Sequence, residues 1–390
     1  MLKKIPDSIT HRERLVAALQ QQGTICSASV ASAFTATPRE PFVSAFYERV
    51  GRDWIMHCQP PEADDLSWLA RIYQDEALVT QLDSRALPCS SSSQPSVMAR
   101  MLEVLDVQQG QRVLEIGTGT GYNAALLAHL TGDPALVTTI ELDERTASRA
   151  EQVLHNVVGP VQVTRGDGRQ GVASRAPFDR IIVTASADTL ARAWFSQLVP
   201  EGRLILPLQG SLSASGFLVV KKTGQEGHGT FLQPPLHFMP MRSEDAADER
   251  SSRDLFQQPI LQDIFVEADH PMLLAVQERN FRWFLQWAWP EKGTLQILSM
   301  TSPEGKRALL VKDPCLTSIL QLSQRTDGSW SGKSHGVVPL WSMIREIATR
   351  YQQMGSPGQD AFQVRLHAQH ATLFVSSQGK THDVRDLFRV

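Results

Sequence analysis

Cysteine is scarce in this sequence, and a long apolar run is absent. The cysteines show no C-x-x-C spacing, and they stand at Cys26, Cys58, Cys89 and Cys315. We therefore expect free thiols in a reducing compartment. No stretch of about 18 apolar residues occurs, so neither a membrane span nor a signal peptide is expected. Together these absences predict a cytoplasmic protein with no membrane partner.

An excess of positive charge is also lacking. The chain has 38 lysines and arginines against 41 aspartates and glutamates, a formal net charge of −3. It therefore has no broad basic field for a phosphate backbone, and nucleic acid is not an expected partner. Hydrophobic residues make up 42% and charged residues 20% of the chain, which is ordinary for a globular protein. A length of 390 residues leaves room for two domains.

A glycine-rich turn follows a strongly apolar segment. Val113-Leu114-Glu115-Ile116 predicts a buried parallel strand, and Gly117-Thr118-Gly119-Thr120-Gly121 predicts a turn that leads into a helix. Glycine lets backbone approach a ligand closely, and a helix start presents free N–H groups. Further on, Thr138–Glu141 predicts a second strand that ends in a carboxylate. A carboxylate there is placed to accept hydrogen bonds from both hydroxyls of a ribose, so we predict a nucleoside-containing cofactor.

The spacing of the glycines indicates which cofactor. The dinucleotide fingerprint is G-x-G-x-x-G, whereas here the glycines stand at Gly117, Gly119 and Gly121. Glu115, just upstream, would repel a diphosphate but suits the ammonium group of a methionine moiety. The pattern favours S-adenosylmethionine over NAD.

Strands and helices alternate through this part of the chain. Such alternation predicts a central, mostly parallel sheet of Rossmann-like α/β type, with ligands at the carboxyl ends of the strands. The predicted strands are 112–116, 136–141, 160–165, 179–184 and 202–207, and the predicted helices are 96–109, 121–131, 144–156 and 188–198.

The flanking regions are less regular. Residues 11–47 read as helical with breaks at Gly23 and near Pro38, and 51–95 read as irregular. After Pro240 an α+β pattern begins, with a polar linker at 243–255, strands at 294–300 and 308–311, a helix at 338–353 and a last strand at 363–375. We therefore divide the chain into an N-terminal helical segment with an insertion (1–89), a cofactor-binding domain (90–242) and a C-terminal α+β accessory or substrate-recognition domain (243–390).

Further polar groups are predicted to converge on the same cleft. Ser90–Ser93 immediately precede the helix before the first strand. Asp167 and Gly168 follow the third strand, where a carboxylate can accept from an adenine amino group. Thr184 ends the fourth strand, the usual position of substrate-facing residues in such sheets. The segment 236–241 follows the sheet.

Together these motifs resemble the protein-L-isoaspartate O-methyltransferase family. The resemblance covers 90–241 strongly and 30–48 weakly. It is carried by Phe34–Val43, Ser93-Gln94-Pro95 with Ala99-Arg100-Met101, Arg112–Tyr122, Gly166-Asp167-Gly168, Ala176–Asp179, Ile181–Ala185, Gly202-Arg203-Leu204 and Phe238-Met239-Pro240. It implies a class I methyltransferase fold and S-adenosyl-L-methionine as the cofactor.

The resemblance also implies roles for individual residues. The cofactor would be held by Glu115, Gly117, Thr118, Gly119, Gly121, Glu141 and Leu142, with Asp167 and Gly168 beside the adenine. Ser93 matches the family's serine beside the acceptor carboxylate, and Ser91 and Thr184 complete the predicted catalytic set. The chain departs from the family at Ser91 and Ser92, where threonine and an apolar residue are common, so its pocket wall is more polar.

The resemblance implies a carboxyl O-methyltransferase that acts on (iso)aspartyl residues of a peptide or protein. The product is an ester that can close to a succinimide. The insertion at 48–89 and the region 243–390 have a layout similar to extended relatives found with ribosomally made peptides. Tailoring of a specific aspartate in a dedicated precursor peptide, giving aspartimide or isoaspartate, therefore stays open, as does a non-catalytic peptide-binding module.

Other ligand classes are disfavoured. His367 and His370 lie three apart on the predicted last strand and would face opposite sides, so no metal site is predicted. A nucleic-acid methyltransferase would carry an Asn/Asp-Pro-Pro-aromatic motif after the fourth strand, where this chain has Thr184-Ala185-Ser186. An aromatic set is predicted to form core, at Phe281, Trp283, Phe284, Trp287 and Trp289.

Overall fold

The fold comes from a computed structural model. It describes residues 8–60, 66–210, 212, 214–242, 260–266, 278–290, 295–302, 305–313, 317–377 and 379–388. The predicted linker at 243–255 and Cys315 lie outside these residues. Among the described residues, no helix combines the length and the apolar character that crossing a membrane requires.

Nine helices lie within the described ranges. They are α1 (Ser8–Gln21), α2 (Ala28–Ala36), α3 (Leu66–Ile72), α4 (Pro95–Leu105), α5 (Tyr122–Thr131), α6 (Glu144–Val157), α7 (Arg192–Ser196), α8 (Arg279–Ala288) and α9 (Leu340–Gln353). Local chemistry explains several of their ends. Pro95 supplies a fixed φ at the first position of α4, and Asp143 caps α6 by accepting from the Thr146 N–H at 2.8 Å.

Nineteen strands lie in the described ranges and form three sheets. They are β1 (Ala45–Val50), β2 (Asp53–Cys58), β3 (Leu78–Leu82), β4 (Pro88–Ser92), β5 (Val113–Ile116), β6 (Val137–Glu141), β7 (Gln162–Arg165), β8 (Phe178–Val183), β9 (Leu198–Gln209), β10 (Ser215–Thr223), β11 (Glu226–Leu232), β12 (Ile260–Val266), β13 (Gln296–Thr301), β14 (Arg307–Lys312), β15 (Ser318–Gln324), β16 (Trp330–Gly336), β17 (Phe362–Leu366), β18 (Ala371–Ser377) and β19 (Lys380–Asp386).

The central sheet has the order β19-β18-β17-β11-β10-β9-β8-β5-β6-β7. The five strands from β9 to β7 pair in parallel, which confirms the predicted Rossmann-like sheet. Its strands are apolar in unbroken runs because both faces are covered. Along β5, for example, Val113 joins the core beneath α4 and α5, while Leu114 and Ile116 join the core on the opposite face.

The other half of this sheet is antiparallel, and the sequence pattern did not predict it. Strands β10 and β11 continue from β9, and β17, β18 and β19 follow from the C-terminal part of the chain. The division at residue 243 stays a prediction. The ladder nevertheless ties the last three strands, which we had assigned to the accessory domain, to the cofactor-binding sheet by main-chain hydrogen bonds.

The N-terminal region differs from its predicted irregularity. Strands β2-β1-β3-β4 form an antiparallel four-stranded sheet in the range that we had expected to be partly helical and partly loop. The serine run is its last strand, β4, which pairs with β3. The predicted boundary between 89 and 90 therefore falls within a strand, because ladder pairing gives polar serines an extended conformation that their own propensity does not.

The predicted last strand at 363–375 is two strands. Residues 367–370 form the turn between β17 and β18, closed by the His367 N–H donating to the His370 carbonyl at 2.8 Å. The two imidazoles have different acidic neighbours, with His367 3.8 Å from Glu226 and His370 3.2 Å from Asp386. The prediction that both histidines lie on one strand is therefore wrong.

The C-terminal region packs a five-stranded sheet, β12-β16-β15-β14-β13, and the two last helices against the antiparallel half of the central sheet. The predicted aromatic core is confirmed, because all five rings are buried. Trp283 of α8 contacts Phe231 of β11 edge to face at 4.9 Å between ring centroids. These aromatic side chains therefore join α8 to the central sheet.

Candidate active site

A cleft of about 470 Å³ lies at the carboxyl ends of the parallel strands. This is where a doubly wound sheet binds its ligands. Four stretches of chain form most of its wall. They are the serine strand with its continuation (88–94), the glycine loop (115–120), the end of β6 (140–142) and the segment 237–242.

The glycine loop is pressed between two neighbouring elements. Gly117 has φ +97°, and a Cβ there would lie 3.0 Å from Thr184 Oγ1. Gly119 has φ +51°, and a Cβ there would lie 3.3 Å from the Ser91 carbonyl oxygen. Both positions thus combine a left-handed backbone with little room for a side chain. The loop runs between the end of β8 and the serine strand, with its backbone facing the cleft.

Gly121 has a different place from the one the resemblance implies. It does not line the cleft. It precedes α5 with φ +89°, and a Cβ there would lie 3.2 Å from the Leu154 side chain of α6. Gly121 therefore allows α5 and α6 to pack closely.

Glu141 stands at the end of β6, with 9% of its surface exposed. Its Oε2 accepts from the Gly119 N–H at 3.0 Å. Its Oε1 accepts from the N–H groups of Leu142 at 3.1 Å and Asp143 at 3.2 Å. Glu141 and Leu142 both line the cleft. The carboxylate therefore ties the glycine loop to the neighbouring strand and faces the cavity at the predicted ribose position.

Glu115 is fully buried beneath the glycine loop and still forms part of the cleft wall. Its Oε1 accepts from Asn123 Nδ2 and its Oε2 from Thr139 Oγ1, both at 2.7 Å. Thr118 Oγ1 lies 2.7 Å from Thr139 Oγ1 and extends this network toward the loop. Desolvation raises the pKa of Glu115 to about 7, against the two hydrogen bonds that lower it. A cationic ligand group nearby would favour its ionised form.

Asp167 and Gly168 follow β7, but only Gly168 lines the cleft. Asp167 Oδ1 accepts from the Arg169 N–H at 2.9 Å and so caps a short 3₁₀ turn. A Cβ on Gly168 would lie 2.5 Å from Ile116 Cγ2, and Trp194 Nε1 donates to the Gly168 carbonyl at 2.8 Å. Gly168 thus forms a close-packed wall, with the Asp167 carboxylate directed into its own turn.

Thr184 lines the cleft at the end of β8, although its hydroxyl serves the backbone. Thr184 Oγ1 lies 3.0 Å from the Ile116 carbonyl and 2.7 Å from the Gly117 carbonyl. A hydroxyl has one proton to donate, so this proton is held at the start of the glycine loop. Thr184 fixes that loop and does not present a free donor to an acceptor.

The serine strand and the residue after it differ in where their hydroxyls lie. Ser90, Ser91 and Ser93 line the cleft. Ser90 Oγ lies 3.4 Å from Thr80 Oγ1, whereas within the described residues no side-chain or backbone group partners the Ser91 or Ser93 hydroxyl. Ser92 is 2% exposed, and its Oγ accepts from Arg39 Nε at 3.2 Å. The structure thus leaves the Ser91 and Ser93 hydroxyls available to a ligand.

One supporting residue, Arg39, was not singled out from the sequence, whereas the segment 236–241 was predicted to converge on the cleft. Arg39 lies behind the serine strand, and the stretch Phe34–Val43 was the signal that contained it. The segment 237–242 contributes six consecutive residues to the cleft. Ser186 holds this segment, because its N–H donates to the Met239 carbonyl and its carbonyl accepts from the Met241 N–H, both at 2.8 Å.

Comparison with known proteins places this site in a family. The sequence model described as protein-L-isoaspartate(D-aspartate) O-methyltransferase matches residues 64–244. The protein-L-isoaspartate O-methyltransferase of Gloeobacter violaceus is 38% identical over 168 residues, covering 42% of this chain and 79% of the relative. That of Pyrobaculum islandicum is 31% identical over 211 residues, covering 54% of this chain and 89% of the relative. This chain belongs to the protein-L-isoaspartate O-methyltransferase family.

Coverage varies among the family members. The Thermotoga maritima enzyme is 35% identical over 214 residues, or 54% of this chain. The chain spans 60% of the length of that relative and 64% of the length of the Anaeromyxobacter dehalogenans relative. A solved structure named protein-L-isoaspartate O-methyltransferase superposes with a TM-score of 0.53 at 23% identity, covering 96% of this chain and 99% of that chain. The fold of that solved structure is therefore shared over nearly the whole chain.

Proposed function

We propose that this protein is an S-adenosylmethionine-dependent carboxyl O-methyltransferase of the protein-L-isoaspartate type. One arrangement carries the proposal. One cleft is lined by the glycine loop, its carboxylate partner Glu141 and two available serine hydroxyls, those of Ser91 and Ser93. Family membership supports the same reading. The peptide or protein substrate would bear an isoaspartyl or D-aspartyl residue.

The residues around the cleft fit S-adenosylmethionine. The volume of about 470 Å³ is suitable for a ligand of that size. Gly117 and Gly119 expose backbone where side chains would obstruct, and Glu141 offers acceptors to ribose hydroxyls. The buried Glu115 carboxyl suits a cationic amino group, and Gly168 with Leu142 supplies close-packed wall. When bound, the cofactor supplies an electrophilic methyl group on a sulfonium centre.

The chain's own residues need to supply little of the chemistry. A carboxylate of ordinary pKa is already ionised at neutral pH, so the acceptor needs no general base. Ser93 and Ser91 donate hydrogen bonds that orient the acceptor, and Thr184 holds the glycine loop opposite them. The wall formed by 237–242 excludes water that would otherwise solvate the attacking oxygen.

The ester accounts for a repair activity. In an isoaspartyl ester, the backbone nitrogen of the following residue attacks the ester carbonyl and releases methanol. A succinimide results, and its hydrolysis gives aspartyl and isoaspartyl products. The protein needs only to form the ester, since the later steps are intramolecular.

The main alternative is the tailoring of a dedicated precursor peptide. Its basis is the layout of the insertion at 48–89 and of the region 243–390. A solved structure named protein-L-isoaspartate O-methyltransferase covers 96% of this chain. A protein of that name can therefore have a fold of similar extent, which weakens the argument for tailoring from the layout. The remaining departure from the family is Ser91 in the cleft wall, together with Ser92 behind it.

Methyl transfer from labelled S-adenosylmethionine tests the proposal. The acceptors are an isoaspartyl peptide, its normal aspartyl twin and no peptide. We expect turnover with the isoaspartyl peptide alone. If neither peptide is methylated while cofactor binding is intact, the result would contradict repair-type specificity and favour a dedicated partner. Failure to bind the cofactor would favour a non-catalytic module.

A further inference from the structure

Arg39 is a fully buried arginine behind the cleft. It precedes a short 3₁₀ turn, Glu40–Phe42. No carboxylate of the described residues forms an ion pair with it, and the Asp75 charge acts on it only from a greater distance. Burying an arginine without a carboxylate is costly unless its donors are satisfied. Burial lowers the pKa of Arg39 to about 10, so the guanidinium still carries its charge at neutral pH.

The guanidinium is satisfied by oxygens of two separate stretches of chain. It makes six hydrogen bonds of 2.7 to 3.3 Å. Three go to the carbonyls of Ile72, Gln74 and Glu76. The other three go to Ser92 Oγ, the Ser92 carbonyl and the Ser93 carbonyl.

These two stretches adjoin a pair of neighbouring strands, β3 and β4, on the acceptor side of the cleft. Residues 72–76 lead directly into Ala77 and Val79, which line it, and Ser93 lines it from the end of the serine strand. Serine has little intrinsic preference for a strand. The position of the Ser93 hydroxyl therefore depends on how its backbone is held, and Arg39 holds the Ser93 carbonyl itself.

The geometry requires arginine and not only a positive charge. A guanidinium presents five N–H donors in a planar fork, whereas a lysine ammonium has three donors and no fork. The Arg39 guanidinium also lies over the Tyr122 ring, 5.9 Å from its centroid. A lysine can keep that cation–π contact while it loses most of the bonds to the serine strand.

We propose that Arg39 is a positioning residue for the acceptor, acting through the backbone of Ser92 and Ser93 to aim the Ser93 hydroxyl into the cleft. This inference rests on the proposed function. It separates the acceptor wall from the cofactor wall, because the guanidinium donates only to residues 72–76, Ser92 and Ser93, and not to the glycine loop or Glu141.

The test is Arg39→Lys, with Arg180→Lys as the matched control. Arg180 is 9% exposed and also donates to carbonyls, those of Leu105, Asp106 and Asp179, but it does not line or support the cleft. Both variants exchange a largely buried, carbonyl-bound arginine for lysine. A purely structural effect would therefore appear in both.

We expect Arg39→Lys to lower kcat/KM for the isoaspartyl peptide on the order of 10-fold to 100-fold. Its dissociation constant for S-adenosylhomocysteine should stay within about 3-fold of wild type, which corresponds to less than one hydrogen bond. Hydrogen exchange should speed up at residues 74–79 and 89–94. Arg180→Lys should change neither the acceptor kinetics nor exchange in these segments.

The remaining outcomes of this experiment also decide whether Arg39 positions the acceptor. If Arg39→Lys does not fold, Ser92→Ala removes only the Nε contact and should give a smaller effect of the same kind. Equal loss of acceptor kinetics in the Arg39 and Arg180 variants would overturn the inference, as would unchanged exchange at 89–94. An inactive wild type would overturn the proposed function instead, and the exchange measurement would then still decide whether Arg39 holds the serine strand.

Discussion

The backbone N–H of Gly119 donates a hydrogen bond of 3.0 Å to Glu141 Oε2. This contact joins the middle of the glycine loop to the carboxylate at the end of the next strand. Both groups line the cleft. The cofactor side of the site is therefore one connected unit, in which the loop and the ribose acceptor support each other.

Glu141→Ala should weaken cofactor binding more than it slows turnover at saturating cofactor. It removes the acceptor for the ribose hydroxyls and releases the Gly119 N–H. We expect the affinity for S-adenosylmethionine to fall on the order of 10-fold to 100-fold, measured by calorimetry. Glu151→Ala, an exposed position on α6 away from the cleft, is the control. A loss confined to kcat would argue against the ribose role of Glu141.

Ser93→Ala should show the opposite pattern. The Ser93 hydroxyl faces the cleft without a described partner, so its removal leaves the fold intact and takes one donor from the acceptor carboxylate. We expect kcat to fall about 10-fold to 100-fold, the value of one hydrogen bond to a charged group. Cofactor affinity should be unchanged. Ser96→Ala, in the first turn of α4 and outside the cleft, should behave as wild type.

Glu115 gives the free protein a pH-dependent stability. Its pKa is raised from 4.5 to about 7 by burial, so the stabilisation is complete below pH 4.5 and is lost as pH rises through about 7. The difference is about 3 kcal/mol. Urea unfolding between pH 4 and 8 should show this decline, and Glu115→Gln should flatten it. Asn123 Oδ1 has no partner among the described residues, and a flip of its amide accommodates the glutamine.

The same group links proton release to ligand binding. A cationic amino group beside Glu115 favours the carboxylate, so the affinity for S-adenosylmethionine should rise with pH through about 7 in the wild type. The rise should be absent in Glu115→Gln. An identical pH profile in both proteins would show that the ligand's charge does not sense this carboxyl.

Gly119→Ala should abolish tight cofactor binding, whereas Gly110→Ala should not. Both glycines have positive φ, so alanine costs each about 1 to 2 kcal/mol of backbone strain. A Cβ meets the Ser91 carbonyl at 3.3 Å at Gly119 and nothing within 4 Å at Gly110. Only Gly119→Ala therefore displaces the loop from the serine strand. Equal affinities in the two variants would mean that the close approach is not needed.

The sequence was sufficient for the parts of the site that are local. The strand, glycine loop and carboxylate from Val113 to Glu141 have fixed spacing and strong periodicity, and β5, α5 and β6 lie within two residues of their predicted bounds. Gly121 precedes α5 and Thr184 follows β8, but their contacts differ from the predicted ones. Gly121 packs against α6 and does not line the cleft, and the Thr184 hydroxyl is held by the carbonyls of Ile116 and Gly117. Spacing alone does not reveal these contacts.

The parts that were missed depend on contacts distant along the chain. Arg39 reaches Ser92 and Ser93 across more than fifty residues, and nothing local marks an arginine for burial. The serine run becomes a strand only because β3 pairs with it. Likewise, β17 lies beside β11, a pairing between segments more than a hundred residues apart, so the boundary drawn from composition could not detect it.

The most direct test of the central claim is the chemical identity of the product. Mass spectrometry should follow an isoaspartyl peptide incubated with the protein and S-adenosylmethionine. We predict one added methyl group on the isoaspartyl carboxyl as a base-labile ester, followed by a succinimide as methanol is lost. A base-stable methyl group on another atom, or no methylated peptide while the cofactor remains bound, would contradict the account.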